Sequence, residues 1–174
     1  KINDAKINIS NSSNLIIQNI LMAFVISIEL GIDLDDFNFM LKSFQTPNGR
    51  GNIIYNNNYI VIDDTYNSNF ASTISGLRQL KKYPSKNRKI VVLGDMLELG
   101  VKEKEIHLSL SEYLVANNIQ CIFTYGRLME NLYISLKDTY PELFIFHYKD
   151  QKKLIEHIKK TIKDDDIVYI KGSG

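Results

Sequence analysis

Hydrophobic and polar residues follow two different patterns along the chain. In the first part, apolar residues lie almost all round a predicted helix over residues 14–30, which Gly31 ends, and Asp33 is placed to cap a second helix. A helix that is apolar all round is typically buried. Because two helices are too few to form a core, we expect residues 1–46 to belong to a larger body. The TPNGRG sequence at 46–51 is typical of a hinge.

After the hinge, strands and helices alternate. Residues 52–63 are predicted to form a β-hairpin with its turn at 56–58. Four predicted helices then alternate with four predicted strands: helices at 70–82, 102–117, 128–137 and 151–162, and strands at 89–94, 121–126, 143–147 and 166–172. This alternation predicts an α/β fold, with a Rossmann-like, mostly parallel sheet and helices on both faces.

Polar residues or glycines follow each of the five strands that are expected to be parallel. Because the carboxyl ends of parallel strands lie along one edge of a sheet, and ligands bind in the crevice beside it, this edge is the candidate site. Strands often end in polar residues without any function. For Arg127, Tyr148 and Lys149, that simpler explanation is as good as a ligand site. It is weaker at the other three strand ends: Asp63-Asp64, Gly94-Asp95 and Lys171-Gly172-Ser173.

The segment 63–69, with the sequence DDTYNSN, directly follows a predicted buried strand. Its two adjacent carboxylates repel each other unless a cation or hydrogen-bond donors offset them. A carboxylate here can bind the hydroxyls of a ribose, and Tyr66 offers a flat ring or a hydroxyl group. The alternative is a helix cap made by Thr65 or Ser68, but a cap needs only one such residue. The number of polar side chains favours a ligand.

Two further segments carry candidate chemistry. Arg50 lies between two glycines in the hinge and can reach a phosphate. Asp95 and Glu98 follow a strand, with His107 downstream, and such groups could transfer a proton, bind an amine or, least favoured, hold a metal. The sequence has no GxGxxG and no GxxxxGK[ST] motif, so a bound nucleotide would have its phosphates held mostly elsewhere.

Composition narrows the class of protein. A chain of 174 residues with 44% hydrophobic and 24% charged residues is typical of a globular domain with a piece of another. Its net charge of +1 does not suggest nucleic acid as a partner, and the basic runs at 78–89 and 152–160 fall where helix dipoles favour cations. The lone Cys121 excludes an internal disulfide and is expected to be a buried thiol. The most apolar run, 20–32, is too short for a membrane span.

Four ordered motifs give the chain a family resemblance. They are GRG at 49–51, IDDTYNSN at 62–69, VLGDMLELG at 92–100 with His107 downstream, and IKGS at 170–173. In this order and spacing they resemble the Mur ligases, and within them the members that add D-alanyl-D-alanine. A receiver-like signalling domain, or a non-catalytic fragment of a degenerate Mur ligase, is the alternative.

The resemblance implies a domain organisation and an activity. Residues 1–46 would be the last helices of the central ATP-binding domain, and residues 47–174 the C-terminal domain, truncated at its end. The enzyme would be a cytoplasmic, monomeric ligase that joins D-alanyl-D-alanine to UDP-N-acetylmuramoyl-tripeptide through an acyl phosphate in peptidoglycan precursor synthesis. ATP would be its cosubstrate, and the P-loop and the Mg²⁺ ligands would lie upstream, so the chain alone would be inactive.

The resemblance also implies roles for individual residues. Asn19 would contact the adenine, Asp64 the ribose and Arg50 the terminal phosphate, as the one residue with a catalytic role. The other residues that would bind the nucleotide are Tyr66, Asn67 and Asn69. The residues on the side of the dipeptide and acyl acceptor would be Asp95, Met96, Glu98, His107, Lys171 and Ser173.

Overall fold

The computed structural model describes residue 7 and residues 14–56, 58–84 and 86–173, with the side chains of 14–16 excepted. The chain divides into two compact units, residues 1–46 and residues 47–174. The assignment of the first unit to a central ATP-binding domain stays a prediction. Among the described residues, no helix is both long and apolar enough to cross a membrane.

The first unit is a pair of helices, α1 (Asn14–Glu29) and α2 (Leu34–Ser43). Asp33 caps α2 as predicted, because its carboxylate accepts a hydrogen bond of 2.8 Å from the Asp36 amide. Phe24 of α1 packs on Phe37 of α2, with ring centroids 5.1 Å apart. Several apolar side chains of α1 are exposed in this structure: Leu21, Met22, Val25, Ile26 and Ile28. The expectation that they are buried against a larger body stays a prediction.

The second unit is built on one six-stranded sheet. Its strands are β1 (Asn52–Asn56), β2 (Tyr59–Asp63), β3 (Lys89–Gly94), β4 (Cys121–Tyr125), β5 (Phe144–Tyr148) and β6 (Ile167–Lys171). Their order is β1-β2-β6-β3-β4-β5. Only the pair β1–β2 is antiparallel, which confirms the predicted mostly parallel α/β fold. The last strand therefore lies between β2 and β3, so the ends of these three strands are neighbours.

Helices cover both faces of this sheet. They are α3 (Phe70–Gln79), α4 (Glu103–Ala116), α5 (Met129–Thr139) and α6 (Gln151–Thr161), with short 3₁₀ turns at Leu80–Lys82 and Gly100–Lys102. Alternate residues of β3 point to opposite faces, so that Val91 and Leu93 join the core under α3, α4 and α5, while Ile90 and Val92 join the core under α6.

Cys121 is buried in the core under α6, as predicted, with Ile90 and Phe123 in the same cluster. Burial raises the pKa of its thiol to about 11. Because the thiolate is the reactive form of cysteine, this residue is chemically inert at neutral pH.

The amino edge of the sheet is closed by a partly buried ion pair. Arg88 donates from Nε to Oδ1 of Asp166 at 2.9 Å and from Nη2 to Oδ2 at 2.5 Å. The same guanidinium donates to the carbonyl of Thr161 at 2.6 Å, at the end of α6. Polar groups at this edge are thus used to hold the fold together, whereas those at the carboxyl edge form the candidate site.

Candidate functional site

The carboxyl ends of β2, β6 and β3 bring three segments together. The first is residues 63–69, here called the acidic loop; the second is residues 95–99, the 95–99 loop; the third is residues 171–173 at the end of β6. The β6 and β3 backbones approach closely, because a Cβ on Gly172 would lie 3.0 Å from the Cα of Gly94. The Ser173 amide also donates to the Asp95 carbonyl at 3.0 Å.

Asp64 is held by two donors from β6. Its Oδ2 atom accepts a hydrogen bond of 2.8 Å from Nζ of Lys171 and one of 2.9 Å from the hydroxyl of Tyr169. The side chain of Lys171 is only 2% exposed and that of Asp64 is 18% exposed. Lys171 is thus the cation that offsets the repulsion in the acidic loop.

Lys171 also bonds to the backbone of the acidic loop. Its ammonium group also donates to the backbone carbonyls of Asn67, at 2.9 Å, and Asp64, at 3.4 Å. With three acceptors around a buried ammonium, the side chain stabilises the acidic loop from inside. The contact of Lys171 with the acyl acceptor stays a prediction, and in this structure its ammonium group has three acceptors within the protein.

Asp63, unlike Asp64, accepts hydrogen bonds from within its own turn. Its Oδ1 accepts hydrogen bonds from the Thr65 amide at 3.2 Å and from the Thr65 hydroxyl at 2.7 Å. This agrees with the interpretation that Asp64, and not Asp63, is the candidate ligand.

The two asparagines of the acidic loop shape its backbone. Asn69 is the N-cap of α3, and its side chain and that of Ser72 form a reciprocal capping box. The prediction that Thr65 or Ser68 caps this helix is wrong. Asn67 Oδ1 accepts from the Ser68 amide at 2.7 Å and lies 3.2 Å from the Ser173 hydroxyl. Any nucleotide contact of Asn67 or Asn69 would thus be additional to these structural roles.

Arg50 and Tyr66 form an exposed pair beside the acidic loop. The guanidinium carbon of Arg50 lies 3.7 Å from the centroid of the Tyr66 ring, which is a cation–π contact. The Tyr66 amide donates to the Gly49 carbonyl at 3.0 Å, and the Gly51 amide to the Asp63 carbonyl at 2.8 Å. Gly49 has φ +74°, and a Cβ there would lie 2.7 Å from the Tyr66 nitrogen, so only glycine permits this approach.

In the 95–99 loop, the carboxylate of Asp95 is hydrogen-bonded to the protein backbone. Its carboxylate accepts hydrogen bonds from the backbone amides of Leu128, at 3.1 Å, and Met129, at 2.8 Å, where α5 begins. It therefore satisfies the amino end of that helix. The expectation that Asp95 lines the acyl-acceptor side stays a prediction.

His107 and Met96 also act from inside the unit. Both are fully buried. Nε2 of His107 accepts from the Met96 amide at 3.0 Å, and Nδ1 lies 2.6 Å from the Glu103 carbonyl, to which it must donate. The imidazole is therefore neutral and has both nitrogens satisfied. The contact of these two residues with substrate stays a prediction, and in this structure they position the 95–99 loop.

Glu98 and Ser173 are the other two residues predicted on the acceptor side, and Ser173 is half-buried. Glu98 is exposed and has φ +62°. The hydroxyl of Ser173 accepts from the Leu97 amide at 3.2 Å and lies 3.3 Å from the Ser68 carbonyl. Ser173 thus ties the acidic loop to the 95–99 loop. Asn19 is exposed on α1, in the first unit.

We expect Gly126→Ala to lower the free energy of unfolding by about 1–3 kcal/mol. Gly126 has φ +105°, and a Cβ there would lie 2.5 Å from Cγ of Asp95. The substitution is therefore strained and displaces the cap of α5. Urea unfolding followed by circular dichroism measures the change. Gly100→Ala is the control, since Gly100 has φ +64° with no atom near the added Cβ. Equal losses in both variants would show that the contact with Asp95 has no effect of its own.

The described residues contain no group of three or more His, Cys, Asp or Glu side chains that could hold a metal ion.

A comparison with known protein families identifies the family of this chain. Residues 49–174 match the family described as Mur ligase, glutamate ligase domain. The chain belongs to the Mur ligase family. This confirms the family resemblance, and the match favours it over a receiver-like domain.

Individual Mur ligases are similar over most of this chain. It is 30% identical over 155 residues to the UDP-N-acetylmuramoyl-tripeptide--D-alanyl-D-alanine ligase of Buchnera aphidicola subsp. Baizongia pistaciae, covering 88% of this chain and 32% of that protein. The crystal structure of MurF ligase from Thermotoga maritima in complex with ADP superimposes with a TM-score of 0.73 and 26% identity, over 89% of this chain and 34% of that one. A MurF structure from Acinetobacter baumannii has a TM-score of 0.81 and 24% identity, over 96% of this chain and 36% of that one, and shows the shared fold. This chain thus spans about a third of the length of these relatives.

Tyr169 is the residue at this edge that the sequence analysis missed. A tyrosine inside a strand of apolar residues is ordinarily a core side chain. The available signal was its spacing of two from Lys171, which puts both side chains on the same face of β6.

Proposed function

We propose that this chain is the C-terminal part of an ATP-dependent ligase that joins D-alanyl-D-alanine to UDP-N-acetylmuramoyl-tripeptide. The observation that carries the proposal is the carboxylate of Asp64, fixed by Lys171 beside the exposed pair of Arg50 and Tyr66. The names of the similar ligases, and the ADP bound to one of them, support it.

Asp64 would bind the ribose. Its Oδ2 is used by Lys171 and Tyr169, whereas Oδ1 makes no hydrogen bond to any other residue in the described part of the chain. A carboxylate oxygen accepts strong hydrogen bonds from hydroxyl groups such as those of a ribose. Tyr66, 60% exposed, would form part of the wall beside the nucleotide.

Arg50 would stabilise the phosphate that is transferred. Its guanidinium remains charged at any physiological pH and can form two parallel hydrogen bonds to phosphate oxygens. Stacking on Tyr66 limits the positions of an otherwise free side chain before the phosphate arrives. Movement about the hinge would bring this group to a nucleotide held elsewhere.

The proposed reaction has two steps. First, a carboxylate oxygen of the tripeptide attacks the terminal phosphorus of ATP, the bond to the bridging oxygen breaks, and an acyl phosphate and ADP form. Second, the free amine of D-alanyl-D-alanine attacks the acyl carbon, and a tetrahedral intermediate expels inorganic phosphate with the electrons of the C–O bond. The amine loses a proton as the amide forms. Excluding water from the acyl phosphate protects it from hydrolysis.

On the acceptor side, Glu98 and Ser173 would be the residues that contact the dipeptide, and Glu98 could bind its ammonium group. Asp95, Met96, His107 and Lys171 would contribute indirectly by holding the two loops in place.

We further propose that Asn19 contacts the adenine, that Mg²⁺ accompanies the nucleotide with its ligands upstream of this chain, and that the enzyme is a cytoplasmic monomer.

The ribose assignment predicts a specific kinetic defect. In the full-length enzyme, Asp64→Ala is expected to raise the apparent KM for ATP by about 10- to 100-fold, because a charged hydrogen-bond acceptor is lost. The KM for D-alanyl-D-alanine should stay unchanged. Initial rates of phosphate release at varied ATP and varied dipeptide give both constants.

The neighbouring carboxylate is the matched control. Asp63→Ala removes a side chain that bonds only within its own turn, and it should leave both KM values within about twofold. Because Asp64→Ala leaves the Lys171 ammonium without its carboxylate, the double variant Asp64→Ala, Lys171→Met is measured in parallel. An unchanged KM for ATP in both Asp64 variants would remove the ribose assignment.

A further inference from the structure

Tyr169 and Gly76 form a contact that requires both residues. Tyr169 is 2% exposed, and its hydroxyl donates to Oδ2 of Asp64 at 2.9 Å. A Cβ on Gly76 would lie 1.9 Å from that hydroxyl oxygen and 2.4 Å from Cζ of the ring. No side chain larger than glycine therefore fits at position 76 while Tyr169 keeps this position.

The backbone does not explain why position 76 is a glycine. Gly76 lies inside α3 and is absent from the glycines with positive φ. Inside a helix, glycine costs about 1 kcal/mol relative to alanine. The space needed by the Tyr169 ring is thus the physical reason for a residue that the helix itself disfavours.

We propose that Tyr169 is a positioning residue that orients Asp64 for the nucleotide, and that Gly76 is the matched residue that makes room for it. This inference rests on the proposed function, in which Asp64 binds the ribose. Tyr169 would not contact the nucleotide: it would act through the carboxylate of Asp64.

A carboxylate oxygen that accepts two hydrogen bonds holds the plane of the group more firmly than an oxygen that accepts one. Lys171 shares its ammonium among Asp64 Oδ2, the Asp64 carbonyl and the Asn67 carbonyl, and its stem is flexible. Tyr169 has a rigid ring held in the core, so its hydroxyl defines one direction. With Oδ2 turned inward by both donors, Oδ1 is the atom left for a ligand.

The hydroxyl of Tyr169 remains a donor at all physiological pH values. Burial, and then the charge of Asp64 beside it, raise the pKa of Tyr169 well above its usual value. Its proton therefore stays available for the hydrogen bond to Asp64.

The test is Tyr169→Phe in the full-length enzyme, which removes the hydroxyl and keeps the ring. We expect the apparent KM for ATP to rise by about three- to tenfold, with kcat and the KM for the dipeptide within about twofold and the Tm little changed. Tyr133→Phe is the control, because Tyr133 stacks on His147 of β5, away from β2 and β6. It should leave all kinetic constants unchanged.

A second pair of variants separates positioning from packing. Gly76→Ala should lower the Tm and raise the KM for ATP, because the added Cβ displaces the Tyr169 ring. Adding Tyr169→Leu removes the clash, so the Tm should recover while the KM for ATP stays high. If Tm and KM recover together, or if Tyr169→Phe lowers kcat and Tm without a specific rise in the KM for ATP, the role is structural and the proposal is overturned.

The Asp64 variants tell this failure apart from failure of the proposed function. If Asp64→Ala raises the KM for ATP and Tyr169→Phe does not, only the positioning role is lost. If neither variant changes the KM for ATP, the ribose assignment fails, and the positioning role fails with it.

Discussion

Lys171→Met is expected to lower the free energy of unfolding of the chain by about 2–4 kcal/mol. The ammonium lies at 2.8 Å from Asp64 and at 2.9 Å from the Asn67 carbonyl, and the side chain is only 2% exposed. Methionine keeps the length and the apolar stem, so the variant removes the charge and its hydrogen bonds but little packing. Asp64 is then left partly desolvated without its cation. Urea denaturation followed by circular dichroism measures the loss.

The pair between Lys149 and Glu130 is a matched control for this prediction. Its nitrogen and oxygen are also 2.8 Å apart, but the two side chains are 63% and 37% exposed. Lys149→Met should therefore cost far less stability than Lys171→Met, and added salt should reduce that cost. If the two variants lose the same stability, the environment of Lys171 does not exclude water as its burial indicates.

The partner of Lys171 gives a second check. Replacing Asp64 by asparagine in the Lys171→Met variant removes the unpaired charge and should restore part of the lost stability, because the penalty comes from the uncompensated carboxylate. Further loss in the double variant would show that the two side chains stabilise the fold independently.

The fold was predictable because its patterns are local. The run KIVVLG at 89–94 reads as a buried strand without any tertiary information, and β3 has those bounds. The polar residues after Asp63, Gly94 and Lys171 then indicated the carboxyl edge as the candidate site, because parallel strands end together.

The partners inside the site were less predictable because they depend on strand order. Nothing in the sequence pattern places the last strand between β2 and β3, and only that order brings Lys171 to Asp64 and Ser173 to Asn67. Without it, a lysine near a proposed ligand is read as a ligand contact. In the structure this lysine neutralises the acidic loop, and its contact with a ligand stays a prediction.

Asp95 and His107 show the same limit for chemically versatile residues. Their side chains could act in acid–base chemistry, and that versatility made them candidates. In the fold, Asp95 caps a helix that begins 34 residues later, and His107 bonds a loop that precedes it by 11 residues. Such long-range capping leaves no local sequence signal, so residue type alone could not predict these structural roles.

Arg50 is expected to have the largest effect on catalysis. In the full-length enzyme, Arg50→Ala should lower kcat by about 10²- to 10³-fold, because a charged donor aimed at a transferred phosphate acts mainly in the transition state. Stability should not change, since Arg50 is exposed and its contact is with the exposed ring of Tyr66. Single-turnover measurement of ADP formation separates this effect from product release.

Two further variants distinguish phosphate binding from a general charge effect. Arg50→Lys keeps the charge but loses the planar pair of donors, and should recover only part of the activity. Arg127→Ala removes another exposed arginine, whose only ion pair among the described residues is a 3.5 Å contact with Glu103, and should leave kcat unchanged. A full recovery with lysine would mean that charge alone is needed. Equal losses for Arg50→Ala and Arg127→Ala would mean that Arg50 has no specific part in phosphate transfer, and that the cation–π pair with Tyr66 belongs only to the fold of the hinge.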